Sequence, residues 1–114
     1  MRKISKLAAR AFIEGREFRR DNTSVRIEQR YWPEDSHPNR RLYLHGNLIA
    51  EYTNATGLRI TLAGWPTPTT RERLHTLLKE MGKCEGVWQH RFDQYYGTGI
   101  HNRVISSSEW ITVT

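Results

Sequence analysis

Apolar residues near the start of the chain recur in steps of three and four. Ile4, Leu7, Ala8, Ala11 and Phe12 form one stripe of a helix over residues 3–18, with Lys3, Lys6, Arg10 and Arg16 largely off it. Gly15 weakens the last turn, and the polar cluster Asp21-Asn22-Thr23-Ser24 closes the element. The period then changes to two. Val25, Ile27 and Tyr31 alternate with Arg26, Glu28 and Arg30, which predicts a half-buried strand. Residues 32–41 contain two prolines and mixed charges and read as a loop. Leu42-Tyr43-Leu44 and Leu48-Ile49-Ala50-Glu51-Tyr52 flank His45-Gly46-Asn47 as a hairpin, Thr53 to Gly57 turns again, and Leu58 to Leu62 alternates as a fourth strand.

Two prolines in Ala63-Gly64-Trp65-Pro66-Thr67-Pro68 end the sheet pattern, because proline removes ladder donors. Thr69 followed by Glu72 has the form of a capping box, Leu74, Leu77, Leu78 and Met81 follow at helical spacing, and Gly82 terminates a helix over residues 70–81. Val87 to Tyr96 is aromatic and β-prone, with Trp88, His90, Phe92 and Tyr96 on one parity. Gly97-Thr98-Gly99 is a turn, Val104-Ile105 extends a strand, and residues 109–113 form a closing edge strand. The order α-β-β-β-β-α-β-β with tight early connections predicts an α+β fold. Its sheet is mostly antiparallel, of about five to six strands, with two helices on one face.

At 114 residues the chain has room for one hydrophobic core, so residues 1–114 are read as a single domain. Cys84 is the one cysteine and has no partner for an internal bridge, which suits a reducing cytoplasm. No apolar run approaches the roughly 18 residues of a membrane span. The basic start fails as a signal-peptide core because Arg10 and Glu14 interrupt it.

The formal charge is +6, and residues 1–41 hold eleven Lys/Arg against six Asp/Glu, compared with seven against six in the remainder. A basic first third points to an acidic partner, nucleic acid or the acidic face of a protein; the alternative is a solvated surface that only keeps the chain soluble.

Side chains that could support catalysis are scattered. His37, His45, His75, His90 and His101 show no i, i+4 pair and no Cys-x-x-Cys accompanies them, so zinc spacing is absent. Cys84 lies between Lys83 and Glu85 just past a helix end and reads as a structural or incidental thiol rather than a nucleophile. Glu51, Glu72, Glu80, Asp93 and Glu109 form no acid/base dyad, and Gly97-Thr98-Gly99 lacks the rest of a phosphate loop. The expectation is a protein with no catalytic residue, metal or cofactor.

Binding surfaces are the better candidates. Trp32, Arg40 and Arg41 in the charged loop, and Arg91, Tyr95 and Tyr96 in the late strand region, are residue types that dominate protein-binding hot spots. Arg19, Arg20, Arg26 and Arg30 are the candidates for nucleic acid, with Tyr43 and Trp32 able to interleave. Glu17, Asp21, Glu28, Glu34 and Asp35 blunt that patch, and no Lys/Arg-Gly-Phe/Tyr run of the common RNA-binding sheet is present. Trp65, Trp88 and Trp110 are expected to close the core.

Three stretches resemble a family of small tailed-phage proteins with no assigned activity. They are Ala9 to Gly15 with Asn22-Thr23, then Leu42 to Ala50, then Gly64-Trp65 with Thr69-Thr70-Arg71-Glu72-Arg73-Leu74. The resemblance covers about the first 80 residues; the loop 32–41 and the aromatic C-terminal region are longer here than in that family. It implies an accessory protein made in the cytoplasm of an infected bacterium and supplies no catalytic residues. With the exposed-anchor reading, it leads to the expectation of a non-enzymatic protein that binds a host bacterial protein, for host takeover or as an anti-defence inhibitor. The alternative is a small basic nucleic-acid-binding module.

Overall fold

The structure, a computed structural model, describes residues 3–28 and 39–113. In chain order it contains α1 (Lys3–Glu14), β1 (Phe18–Arg20), β2 (Thr23–Glu28), β3 (Asn39–Leu44), β4 (Asn47–Thr53) and β5 (Gly57–Ile60). These are followed by α2 (Pro68–Glu80), β6 (Gly86–His90), β7 (Asp93–Gly97), β8 (Asn102–Ile105) and β9 (Ile111–Val113). The α+β class and the antiparallel pairing are as the pattern predicts. The strands divide into a six-stranded sheet, ordered β1-β2-β3-β4-β5-β9, and a three-stranded sheet, ordered β6-β7-β8.

Residues directly opposite one another in a sheet share a face, so the register sorts the side chains. Val25, Leu42, Ala50, Ile60 and Ile111 form one continuous cross-strand row of the large sheet, and all five are buried. A bulge in β4 opposite Leu42 and Tyr43 lets two consecutive residues, Ile49 and Ala50, both reach the interior. Both helices cover this inner face. On α1, Ala8, Ala9 and Ala11 are small enough for close approach to α2, and Phe12 fills the gap with a fully buried ring. Leu74, Leu77 and Leu78 answer from α2. Burying each such side chain contributes about 1.5–3 kcal/mol.

The helices end alike. In α1, Arg16 N–H donates to Ala11 O at 2.8 Å and Gly15 N–H to Phe12 O at 3.3 Å. In α2, Lys83 N–H donates to Leu78 O at 2.9 Å and Gly82 N–H to Lys79 O at 3.0 Å. Gly15 and Gly82 take the left-handed φ that this termination requires, at 72° and 75°. Thus α1 stops at Glu14, short of the expected 18, and residues 18–20 become an edge strand.

The start of α2 corrects the capping box placed at Thr69. Thr67 is the cap: its Oγ1 accepts from Thr70 N–H at 3.2 Å, and Pro68 occupies the first turn. Glu72 turns instead toward a polar knot between the helices. Ser5 Oγ donates to Glu72 Oε2. Arg73, 3% exposed, donates to Ser5 Oγ at 2.6 Å, to Thr23 Oγ1 at 3.1 Å and to Glu72 Oε2 at 3.3 Å. A buried guanidinium is tolerated because its Nε and Nη1 donors are bonded. This knot ties α1, α2 and β2 together.

The small sheet packs beside α2 and donates Val87 and Ile105 to the same apolar cluster, while Tyr96 packs against it. Residues 87–96, expected as one strand, are a hairpin whose turn is Arg91-Phe92.

Candidate interaction surfaces

Two hairpins in the molecule use a two-residue turn with positive φ at both central positions, the geometry that matches strand twist. In the large sheet these residues are His45 (φ 52°) and Gly46 (φ 78°). His45 is anchored there, its N–H donating to Asn22 O at 2.7 Å and its Nε2 lying 3.3 Å from Asn22 Nδ2. In the small sheet they are Arg91 (φ 49°) and Phe92 (φ 71°). Glycine, asparagine or aspartate suits such positions; an ordinary L-residue pays about 1–2 kcal/mol. Phe92 is also 92% exposed, so its ring gains nothing from burial. A strained backbone thus displays a bare phenylalanine, with an arginine beside it, at the tip of the sheet.

The same sheet leaves more apolar surface open. Trp88, Tyr95 and Val104 stand directly opposite one another across its strands. Trp88 folds against His75 of α2, with ring centroids 5.9 Å apart; Tyr95 is half-buried and Val104 exposed. Burial, followed by the nearby Lys79 charge, lowers the His75 pKa. Ile100, 87% exposed, lies in the turn at the far end of β7, about 17 Å from Phe92 along the strand. Exposed apolar groups therefore mark both ends of the small sheet and one cross-strand row between them, with His90 and Asp93 separating that row from Phe92.

The outer face of the large sheet has the opposite character. Arg26, Arg41, Glu51, Arg59 and Thr112 lie directly opposite in one row, and Arg19, Ser24, Tyr43 and Leu48 in the next. Glu51 accepts from Arg59 Nη2 at 2.6 Å and from Arg41 Nε at 3.2 Å, and Glu28 accepts from Arg41 Nη1 at 2.8 Å. The Arg59 hydrogen bond is the main reason that the Glu51 carboxyl sits below its ordinary pKa, and the Glu28 bond the main reason that Arg41 sits above its own. Trp110 lies over the Arg59 guanidinium, 4.9 Å from it. Arg19 and Arg26 are exposed and form no ion pair among the described residues.

Several expected site residues serve other ends. Arg40 is not a surface anchor: it shares the inward-facing row with Ile27, Tyr52 and Leu58, donates Nη1–H to Ile13 O at 3.1 Å, and lies 5.1 Å from the Tyr52 ring centroid. It closes the C-terminal turn of α1. Tyr96 packs against the core, and burial raises its pKa. Arg41 is tied to two carboxylates. Arg91 and Tyr95 do belong to the open small sheet, Arg20 is exposed on the edge strand, and Trp32 and Arg30 lie outside the described residues.

The tryptophans divide too. Trp88 is half-buried, but Trp65 and Trp110 are 59% and 38% exposed, contrary to the expectation that both close the core. Each follows a chain reversal that leaves the ring at a border between elements. Trp65 walls a cleft of about 460 Å³ with Leu44, Asn47, Ile49, Leu62 and Thr69, between the β3–β4 hairpin and the start of α2. By sequence Phe92 stands out only as part of the run from Arg91 to Tyr96, and Ile100 lies in no recognisable motif.

Among the described residues no group of three or more His, Cys, Asp or Glu could hold a metal ion, and no helix is long and apolar enough to cross a membrane. No curated protein and no solved structure is significantly similar to the chain. The profile of one phage family, Kyanoviridae Gp96 protein, matches residues 1–113. That match spans the hairpin and the helix start that carried the resemblance, and extends through the small sheet beyond them. The chain belongs to the Kyanoviridae Gp96 protein family.

Proposed function

We propose that this phage protein acts without catalysis, by binding a protein of the infected bacterium through its three-stranded sheet and covering that protein's working surface. The single observation that carries the reading is Phe92, held at positive φ and almost wholly exposed. Strain that no internal contact offsets is accounted for when a partner receives the displayed group. Arg91, the other central residue of the turn, is also exposed, and Tyr95 and Val104 stand opposite each other farther along the sheet. Aromatic and arginine anchors surrounded by modest contacts form the usual energetic centre of a protein interface. The setting is the host cytoplasm, and the consequence is inhibition or redirection of the bound protein.

The test compares tagged wild-type protein with a Phe92→Asn variant, each recovered from infected cells after nuclease treatment. Asparagine suits the turn, so the fold is kept while the ring is removed. Support consists of one stoichiometric bacterial protein that the variant fails to retain, with binding reproduced from purified components. Equal recovery by both proteins, or recovery by neither, rejects the reading.

A further inference from the structure

We infer that the outer face of the six-stranded sheet is a binding surface for single-stranded nucleic acid, separate from the small sheet and independent of its proposed partner. Three observations converge on it. First, neither helix covers this face, since both pack on the inner side. Second, among the described residues its cross-strand rows present four arginines, Arg19, Arg26, Arg41 and Arg59, against Glu28 and Glu51, with Glu17 and Asp21 beside Arg19 and Arg26 at the β1 edge. Third, two aromatic rings, Tyr43 and Trp110, stand within that field.

The carboxylates do more than dilute charge. Glu51 holds two guanidinium groups in place, while Arg41 Nη2 and Arg59 Nη1 make no bond among the described residues. Those donors are fixed before any ligand arrives, so little side-chain entropy is lost on binding. Arg19 and Arg26 add two exposed charges at the β1 side that make no ion pair among the described residues. Together they form a cationic track across the strands.

The rings decide which anion fits. Arg59 occupies one side of the Trp110 ring, and the ring's partial exposure leaves surface on which a base can stack. Tyr43 is three strands away, about 14 Å at ordinary strand spacing. A sheet face with separated aromatics and flanking arginines is suited to splayed bases with phosphates between them. Duplex hides its base faces, and an acidic peptide has no flat group for an indole, so both fit less well.

The experiment titrates the full chain into a labelled single-stranded oligonucleotide of about 15 nucleotides, chosen to exceed one site. A duplex of the same sequence and poly-glutamate serve as the other probes, all followed by anisotropy over a range of salt. Single strands should bind more tightly than either. The double variant Arg19→Gln, Arg26→Gln should weaken binding at least about tenfold and reduce the salt slope by about two. Trp110→Ala should weaken it at least about fivefold with the slope unchanged, and Trp110→Phe should retain most of the affinity. Both arginines are exposed, so their replacement leaves the core intact, and circular dichroism checks each variant. Absent binding, duplex bound as tightly as single strand, or affinity unmoved by these variants overturns the inference. Poly-glutamate bound equally well, with no effect of Trp110→Ala, also overturns it and reassigns the face to an acidic protein. Phe92→Asn leaves oligonucleotide binding unchanged, which keeps this result separate from that for the small sheet.

Discussion

The two sheets of this protein treat their surfaces in contrary ways. In the large sheet, apolar residues point inward under the helices, and most outward charges are matched across strands through Glu28 and Glu51. In the small sheet, Phe92, Ile100 and Val104 are left in water, and one of them sits on a strained turn. The first arrangement leaves charge exposed, at Arg19 and Arg26; the second leaves apolar surface exposed. Stability is therefore concentrated where the helices meet the large sheet, and unspent apolar surface where they do not.

The contrast is sharpest in two phenylalanines. Phe12→Ala should cost about 3–5 kcal/mol in urea unfolding, because its ring is fully buried. Phe92→Ala should cost close to nothing; a loss comparable to that of Phe12 would end the comparison. Next in size is the polar knot. Arg73→Ala removes the guanidinium donors shared by Ser5, Thr23 and Glu72 and should cost about 3 kcal/mol, moderated by the partial exposure of Glu72 and by the bond it keeps from Ser5 Oγ.

Neighbouring arginines provide a finer test. Arg40→Ala removes the bond to Ile13 O and the contact with Tyr52, and should lower stability by about 1–2 kcal/mol. Arg41→Ala acts on half-exposed ion pairs and should lower it by less than about 1 kcal/mol. The reverse ranking would mean that the outer face, not the inner one, governs this part of the sheet. Phe92→Asn should raise stability by up to about 1 kcal/mol through relief of the turn, readable as a higher unfolding midpoint.

Acid offers the smallest effects. Folding lowers the Glu51 pKa, so its contribution is complete above the ordinary value of 4.5 and fades as pH falls below it; Glu51→Gln should flatten that limb of the stability curve. Folding also lowers the His75 pKa, so the unfolded chain binds its proton first and stability declines as pH falls through 6.5. His75→Gln should remove that slope, and a slope unchanged by the substitution would exclude His75 as its source.

Much of this architecture could be read before any coordinates. The leucine spacing locates α2 to within two residues at its start, and His45-Gly46-Asn47 marks the hairpin, whose two turn residues the structure places at His45-Gly46. The misses have physical causes. Residues 18–20 became a strand because Gly15 reverses the chain beneath α1 and brings Phe18 opposite Val25, a pairing with no local signature. The Arg91-Phe92 turn was invisible because it lacks the residues that normally form such turns. Arg40 was assigned to a loop; once β3 is extended back to Asn39, its parity with Leu42 turns it inward. Of the candidate surface, Arg91, Tyr95, Arg19 and Arg26 were legible as residue types, but their grouping was not.

Periodicity, turn chemistry and charge balance are local properties, and they determined the α+β class, the helices and an excess of arginine. Which arginines are spent on carboxylates, which carbonyl Arg40 meets, and which rings stay wet depend on cross-strand register and on where the helices land. Those choices are set by burying one face of each element against the others, so they emerge only when the whole core is assembled.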